Sequence, residues 1–230
     1  MHIAIIPARG GSKRIPRKNI KLFHGKPMIA YSIEAAQKSG CFDKIIVSTD
    51  DQEIADIARE LGAEVPFLRP ADIADDHAST MDVMEHAIDW CQSHGLNAEF
   101  VCCIYATAPF ITPASLQRGL TEMKTNKFSY AFTATTFSFP IQRAIRRTGE
   151  MFDDRNLTIR SQDLEEAFHD AGQFYWGKPE AFVCRKSVFS DDSYLILLPR
   201  TVVQDIDSEE DWLTAEVMYQ VMKSTGEWQL

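Results

Sequence analysis

No two cysteines in this 230-residue chain are spaced C-x-x-C, and no two histidines stand four residues apart. A zinc-binding helix, a paired-cysteine zinc site and a thioredoxin-type redox pair therefore have no support. The five cysteines (Cys41, Cys91, Cys102, Cys103 and Cys184) are odd in number, which fits reduced, mostly buried thiols of a cytoplasmic protein rather than a disulfide framework. Apolar runs are too short to cross a bilayer, so no membrane partner is expected. The stretch Met1-His2-Ile3-Ala4-Ile5-Ile6 lacks a basic leader and a small-residue cleavage site, so a signal peptide is not expected either. Positive charge is in deficit: 24 Lys and Arg face 33 Asp and Glu, for a net charge of −9. That balance argues against a general nucleic-acid-binding surface, and an anionic ligand needs a local basic site. Internal repeats, low-complexity tracts and Pro/Ser-rich linkers are absent. With 45% hydrophobic residues, the chain can build one core over 1–230.

Short apolar runs alternate with helical patterns. Residues 2–7, 44–48 and 99–105 read as buried strands, and 27–39, 51–61 and 79–93 as helices. In 51–61, Ile54, Ile57, Ala58 and Leu61 share one face, and Asp50 with Glu53 resembles a capping box. Thr112-Pro113 opens a further helix, with threonine as cap and proline at the first helical position. Residues 128–137 read as a strand. A closing helix spans 208–223, with Ser208-x-x-Asp211 as its cap. The alternation argues for parallel βαβ units, with a ligand crevice at the carboxyl ends of the strands. Residues 138–176 stand apart. They are polar and arginine-rich without a long helix, and read as an excursion from the main sheet of the kind that serves dimerisation.

The chemistry concentrates in Pro7-Ala8-Arg9-Gly10-Gly11-Ser12-Lys13-Arg14-Ile15-Pro16-Arg17-Lys18-Asn19, directly after the first strand. From Arg9 to Lys26 there are seven Lys or Arg and no acid, in a chain that is acidic overall. Paired glycines permit a tight turn and a close ligand approach. Backbone N–H groups and Arg or Lys side chains then suit phosphate oxygens. This is a polyphosphate cradle. It is not a Walker A loop, because Pro27 follows Gly25-Lys26, and the dinucleotide fingerprint G-x-G-x-x-G is missing.

The runs Ile5–Lys13 and Pro16-Arg17-Lys18-Asn19, then Gly25-Lys26-Pro27-Met28-Ile29, closely resemble the N-terminal signature of the CMP-acylneuraminate synthetases. The resemblance continues in order through Val47-Ser48-Thr49-Asp50-Asp51, Phe67-Leu68-Arg69-Pro70 and Asp205-Ile206-Asp207. It implies a Rossmann-like α/β nucleotidyltransferase fold, a mostly parallel sheet with a small dimerisation extension, and a homodimer whose partner helps complete the sugar site. It implies CTP and an acidic nine-carbon sugar as substrates. Ala8, Arg9, Gly10, Gly11, Ser12, Lys18, Asn19 and Arg69 would then bind CTP. Arg9, Lys18 and Asp207 would act in catalysis. Asp205 and Asp207 would hold Mg²⁺, a hard cation suited to oxygen ligands. The alternative for these two acids is a turn residue and a helix-flanking charge.

Where sialic acid enzymes carry Leu-Gln-Pro-Thr-Ser-Pro, this chain has Ile104-Tyr105-Ala106-Thr107-Ala108-Pro109. Tyr105 thus replaces a sugar-contacting glutamine. With Asp75-Asp76-His77, Arg14 and His169–Gly177, it resembles the branch acting on pseudaminic acid. A changed sugar pocket beside an unchanged nucleotide site is what a new sugar specificity requires. Ser79, Thr80 and His77 are sugar-site candidates. Gln173, Tyr175 and Trp176 fit either a sugar site or a packed core. Arg160 fits a sugar carboxylate or a surface acid, and Asp50 a helix cap or a metal ligand. A non-catalytic nucleotide-binding protein on the same fold is disfavoured, because Arg9, Lys18, Asp205 and Asp207 are all in place.

Overall fold

The computed structural model describes residues 1–74 and 78–225. Strands β1 (His2–Pro7), β4 (Lys44–Ser48), β5 (Phe100–Ile104), β6 (Tyr130–Thr136), β7 (Phe168–Gly177) and β8 (Ser193–Leu197) form one sheet in the order β4-β1-β5-β7-β6-β8. A two-residue hairpin, β2 (Leu22–Phe23) with β3 (Lys26–Pro27), stands apart from it. The β1–β4, β1–β5 and β6–β8 pairs are parallel, and β7 runs antiparallel to both of its neighbours. Residues 3–6 of β1 are at most 1% exposed, because helices cover both faces of the sheet and leave no face for polar alternation.

Helices α1 (Met28–Ser39), α2 (Gln52–Glu60) and α4 (Pro113–Thr125) bury Ile29, Ile33, Ile54, Ala58, Leu116 and Met123 on one face. Helices α3 (Thr80–Ser93) and α5 (Pro179–Val183) bury Met84, Ala87, Ile88 and Phe182 on the other. A third cluster joins the final helix α6 (Glu209–Thr225), through Trp212, Ala215, Tyr219 and Met222, to Met28 and Tyr31 of α1. The same cluster holds Ile15 of the basic loop and Ile206 between the two acids. One apolar core thus fixes both the cradle and the acid pair.

The expected parallel α/β order holds, with three corrections. Asp51, not Asp50, caps α2: its carboxylate accepts from the Ile54 N–H at 3.0 Å. Residues 168–176 belong to β7, so the irregular excursion ends at residue 167. There, Phe174, Tyr175 and Trp176 are buried between β5 and β6 as sheet core. The edge strand β8, pairing with β6, has no counterpart in the sequence reading. Thr112 and Ser208 do cap their helices, each with its partner three residues on.

Candidate active site

The carboxyl ends of β1 and β5 open into a cleft of about 420 Å³. Arg9, Ser12, Lys13, Arg14, Lys18, Asn19, Arg69 and Asp207 line it, with Ser79, Thr80, Tyr105 and Thr107. The first stretch of the loop is held by the neighbouring β4–α2 turn. Asp50 accepts from the Gly10 N–H at 2.9 Å, and a Cβ on Gly10 would lie 2.9 Å from the Asp51 Cβ, so only glycine fits. Gly11 has open space where a Cβ would be. Arg17 takes a left-handed φ of 56° and fans its guanidinium over Asp51 and Glu53, which locks the loop to α2. Asn19, 8% exposed, donates to the Arg9 carbonyl at 2.9 Å and ties the two ends of the loop together.

Arg69 is 6% exposed, yet lines the cleft. Its guanidinium donates to the Ser48 carbonyl at 2.5 Å and to Ser48 Oγ at 3.2 Å. Burial lowers its pKa to about 10; Asp50 acts against that fall and Arg9 adds to it. The group therefore stays charged at neutral pH, a fixed cation at the cradle.

Opposite the loop, Ile206 is fully buried between Asp205 and Asp207, so the flanking acids are turned outward. Lys18 Nζ donates to the Ile206 carbonyl at 2.5 Å and lies 3.3 Å from Asp207 Oδ1. Asp205 is exposed, but the protein around it raises its pKa, chiefly by desolvation and next through Asp207. Among the described residues no three His, Cys, Asp or Glu gather into a metal-binding group. Two carboxylates fit a hard cation such as Mg²⁺, which completes its shell with water and substrate phosphate.

Sugar-site expectations divide. Thr80 Oγ1 and the Tyr105 hydroxyl are 3.5 Å apart on the cleft wall. Tyr105 is fixed by its backbone, its N–H donating to Gln173 and its carbonyl accepting from Ser32 Oγ. Burial raises its phenol pKa. Beyond it lies a smaller cavity of about 190 Å³, lined by Met81, Cys103, Asp170, Tyr175, Phe182, Val188 and Phe189. Gln173 is not on the cleft. It is 3% exposed, with its amide donating to the Val202 carbonyl at 2.7 Å. Trp176 is core, and Arg160 pairs with Asp163 on the surface at 2.7 Å. Ala8 is fully buried, its N–H bonded to Ser48, and does not line the cleft. Asp75, Asp76 and His77 lie outside the described residues. Sequence reasoning missed Thr107 and the Asp170–Tyr175 hydrogen bond. Thr107 follows Tyr105 by two residues, a signal that could have found it.

A cleft at the strand ends, with a cationic loop facing Asp207, has the make-up that a nucleotidyltransferase needs to handle a polyphosphate. A family model described as cytidylyltransferase matches residues 3–207, and the chain belongs to that family. It is 45% identical to a pseudaminic acid cytidylyltransferase of Campylobacter jejuni, over 96% of this chain and 97% of that one. It is 32% identical to a CMP-N,N'-diacetyllegionaminic acid synthase of Legionella pneumophila, over 95% and 96% of the two chains. A solved CMP:2-keto-3-deoxy-manno-octonic acid synthetase in complex with CTP superposes with a TM-score of 0.69 at 16% identity, covering 95% and 98%, and shares the fold.

Proposed function

We propose that this enzyme transfers CMP from CTP to the anomeric hydroxyl of pseudaminic acid and releases pyrophosphate. The observation that carries the reading is the meeting of the cationic loop with Asp207 across one cleft, with Asp205 two positions before it in the chain. The hydroxyl oxygen bonds to the α-phosphorus as the bond to the bridging oxygen breaks. The hydroxyl proton passes to solvent, and pyrophosphate leaves as the anion. Such a transfer rests on positioning and charge stabilisation. Arg9, Ser12 and Lys18 bind the triphosphate and hold the departing charge, with Gly10 and Gly11 bringing the backbone close. Asn19 and Arg69 fix the nucleotide end. Asp205 and Asp207 would hold Mg²⁺, which supplies charge neutralisation of the phosphates when bound.

Tyr105, Thr80 and Ser79 form the sugar side, where Tyr105 replaces the glutamine of the sialic acid enzymes. The high identity to pseudaminic acid cytidylyltransferases supports this choice of sugar. The excursion supports a homodimer. Phe137, Phe139, Ile141, Ile145, Phe152, Leu157 and Ile159 all lie exposed within 23 residues, an apolar concentration that a second copy would cover. We place the reaction in the cytoplasm, with its supply of CTP; the five free thiols agree with that compartment.

The test is pyrophosphate release with CTP and Mg²⁺ on pseudaminic, legionaminic and N-acetylneuraminic acids side by side. Pseudaminic acid should lead by at least about tenfold in kcat/KM. Preference for another acid would keep the chemistry and overturn the sugar. Release with none of them would overturn the transfer.

A further inference from the structure

Asp207 is clasped by two cations of the loop it faces. Arg14 Nη2 lies 2.9 Å from Oδ2, and Lys18 Nζ lies 3.3 Å from Oδ1, so each carboxylate oxygen meets one cation. The two cations differ in their freedom. The Lys18 side chain is 18% exposed and anchored to the Ile206 carbonyl, whereas that of Arg14 is 69% exposed. The residues beside the clasp, Ile15 and Ile206, are both fully buried in one apolar cluster, so the backbones are fixed and only the Arg14 side chain has room to move. A divalent cation approaching Asp207 in this state meets two positive charges at close range. A triphosphate in the loop offers the guanidinium a more highly charged, bidentate partner. An ion pair as exposed as Arg14–Asp207 is weak enough to exchange readily.

We infer that Arg14 is a triphosphate-binding residue whose alternative partner is Asp207. Its exchange between the two couples nucleotide binding to divalent-cation binding. Without nucleotide, Arg14 holds the cation site partly closed; a bound triphosphate draws it away and opens Asp207. The coupling is reciprocal, so the cation strengthens nucleotide binding by the factor that the nucleotide strengthens cation binding. The inference rests on the assignment of the cation to Asp205 and Asp207 made above.

Mn²⁺ binding to the full chain without nucleotide, followed by loss of the free-ion paramagnetic resonance signal, tests it. Arg14→Ala should bind Mn²⁺ roughly threefold to fivefold more tightly than the parent. The same variant should bind CTP in EDTA about tenfold more weakly, measured by equilibrium dialysis. Arg14→Lys keeps the charge but loses the fork and should fall between the two on both measures. A merely structural role would weaken both affinities, so the opposite signs are the signature. If Arg14→Ala binds Mn²⁺ no more tightly while Asp207→Ala loses it, the exchange is overturned and the cation site stands. If Asp207→Ala leaves Mn²⁺ binding unchanged, the cation site and the exchange fall together.

Discussion

On the basic-loop side of the cleft, Arg9, Lys13, Arg14, Lys18 and Arg69 bring five cations to one wall. Where the cleft meets the smaller cavity, Thr80, Tyr105, Tyr175 and Asp170 offer hydroxyls and a single carboxylate among apolar side chains. The first wall presents charge, and it is held by charged anchors: Asp50 on Gly10, Asp51 and Glu53 on Arg17. The second presents mostly neutral groups, and it is held by backbone bonds at Tyr105 and by the hydrogen bond from Tyr175 to Asp170. A polyphosphate is alike in every enzyme that uses it, so a wall built for it needs fixed point charges. A sugar differs from its isomers in the direction of a few groups, so a wall built for it must be adjustable one side chain at a time.

Damage to the charged wall should cost most. Arg69→Met removes a buried cation and its hydrogen bonds to Ser48, whose carbonyl keeps the Ala8 N–H. Turnover should fall by about a hundredfold, as for loss of one fixed charge stabiliser. Stability should fall by about 1.5–3 kcal/mol, the worth of a hydrogen bond from a charged donor, measured by urea unfolding. Arg69→Lys keeps the charge but cannot span both Ser48 atoms, so it should recover only part of each. Full activity in Arg69→Met would detach this residue from the nucleotide wall.

On the neutral wall the effect should be smaller and different in kind. Tyr105→Gln restores the residue type that the resemblance assigns to sialic acid enzymes. It should shift the kcat/KM ratio of N-acetylneuraminate to pseudaminic acid upward by about tenfold, leaving the KM for CTP unchanged. A change in the KM for CTP without a change in that ratio would merge the two walls into one functional unit.

The same contrast decides what could be read from the sequence. Charged recognition is local: Arg9 to Asn19 lie on one loop, and their types and spacing announce a phosphate ligand without any fold. The caps of α4 and α6 were legible for the same reason, each being complete within four residues. Gln173 misled because its role is set by a partner 29 residues away, the Val202 carbonyl, and no local pattern records an exposure of only 3%. Residues 168–176 misled as well. A strand buried between two antiparallel neighbours loses the alternation that marks a half-exposed one, so its aromatics fitted a ligand site equally well. Asp50 and Asp51 differ by one position, and only the backbone geometry shows which carboxylate caps α2.

Ser79 supplies the smallest and most local test, because it lies on the cleft wall and also caps α3. Its hydroxyl accepts from the Asp82 N–H at 3.2 Å and donates to Asp82 Oδ2 at 2.6 Å, and Asp82 Oδ2 accepts from the Ser79 N–H at 2.7 Å. Arg185 adds an ion pair to Asp82 at 2.6 Å. Together, the Ser79 side chain first, these contacts lower the Asp82 pKa from 3.8 to about 2. A depressed carboxylate stabilises the fold above its unfolded pKa, and that contribution fades as pH falls from 3.8 toward about 2. Ser79→Ala should cost about 1 kcal/mol at neutral pH, the worth of an N-cap. It should also flatten the loss of stability over that acid window, since Asp82 then titrates closer to its unfolded value. A matching rise in the KM for the sugar, with the KM for CTP steady, would place Ser79 on the neutral wall. A rise in the KM for CTP alone would move it to the charged one, and an unchanged pair would leave the hydroxyl as a cap and nothing more.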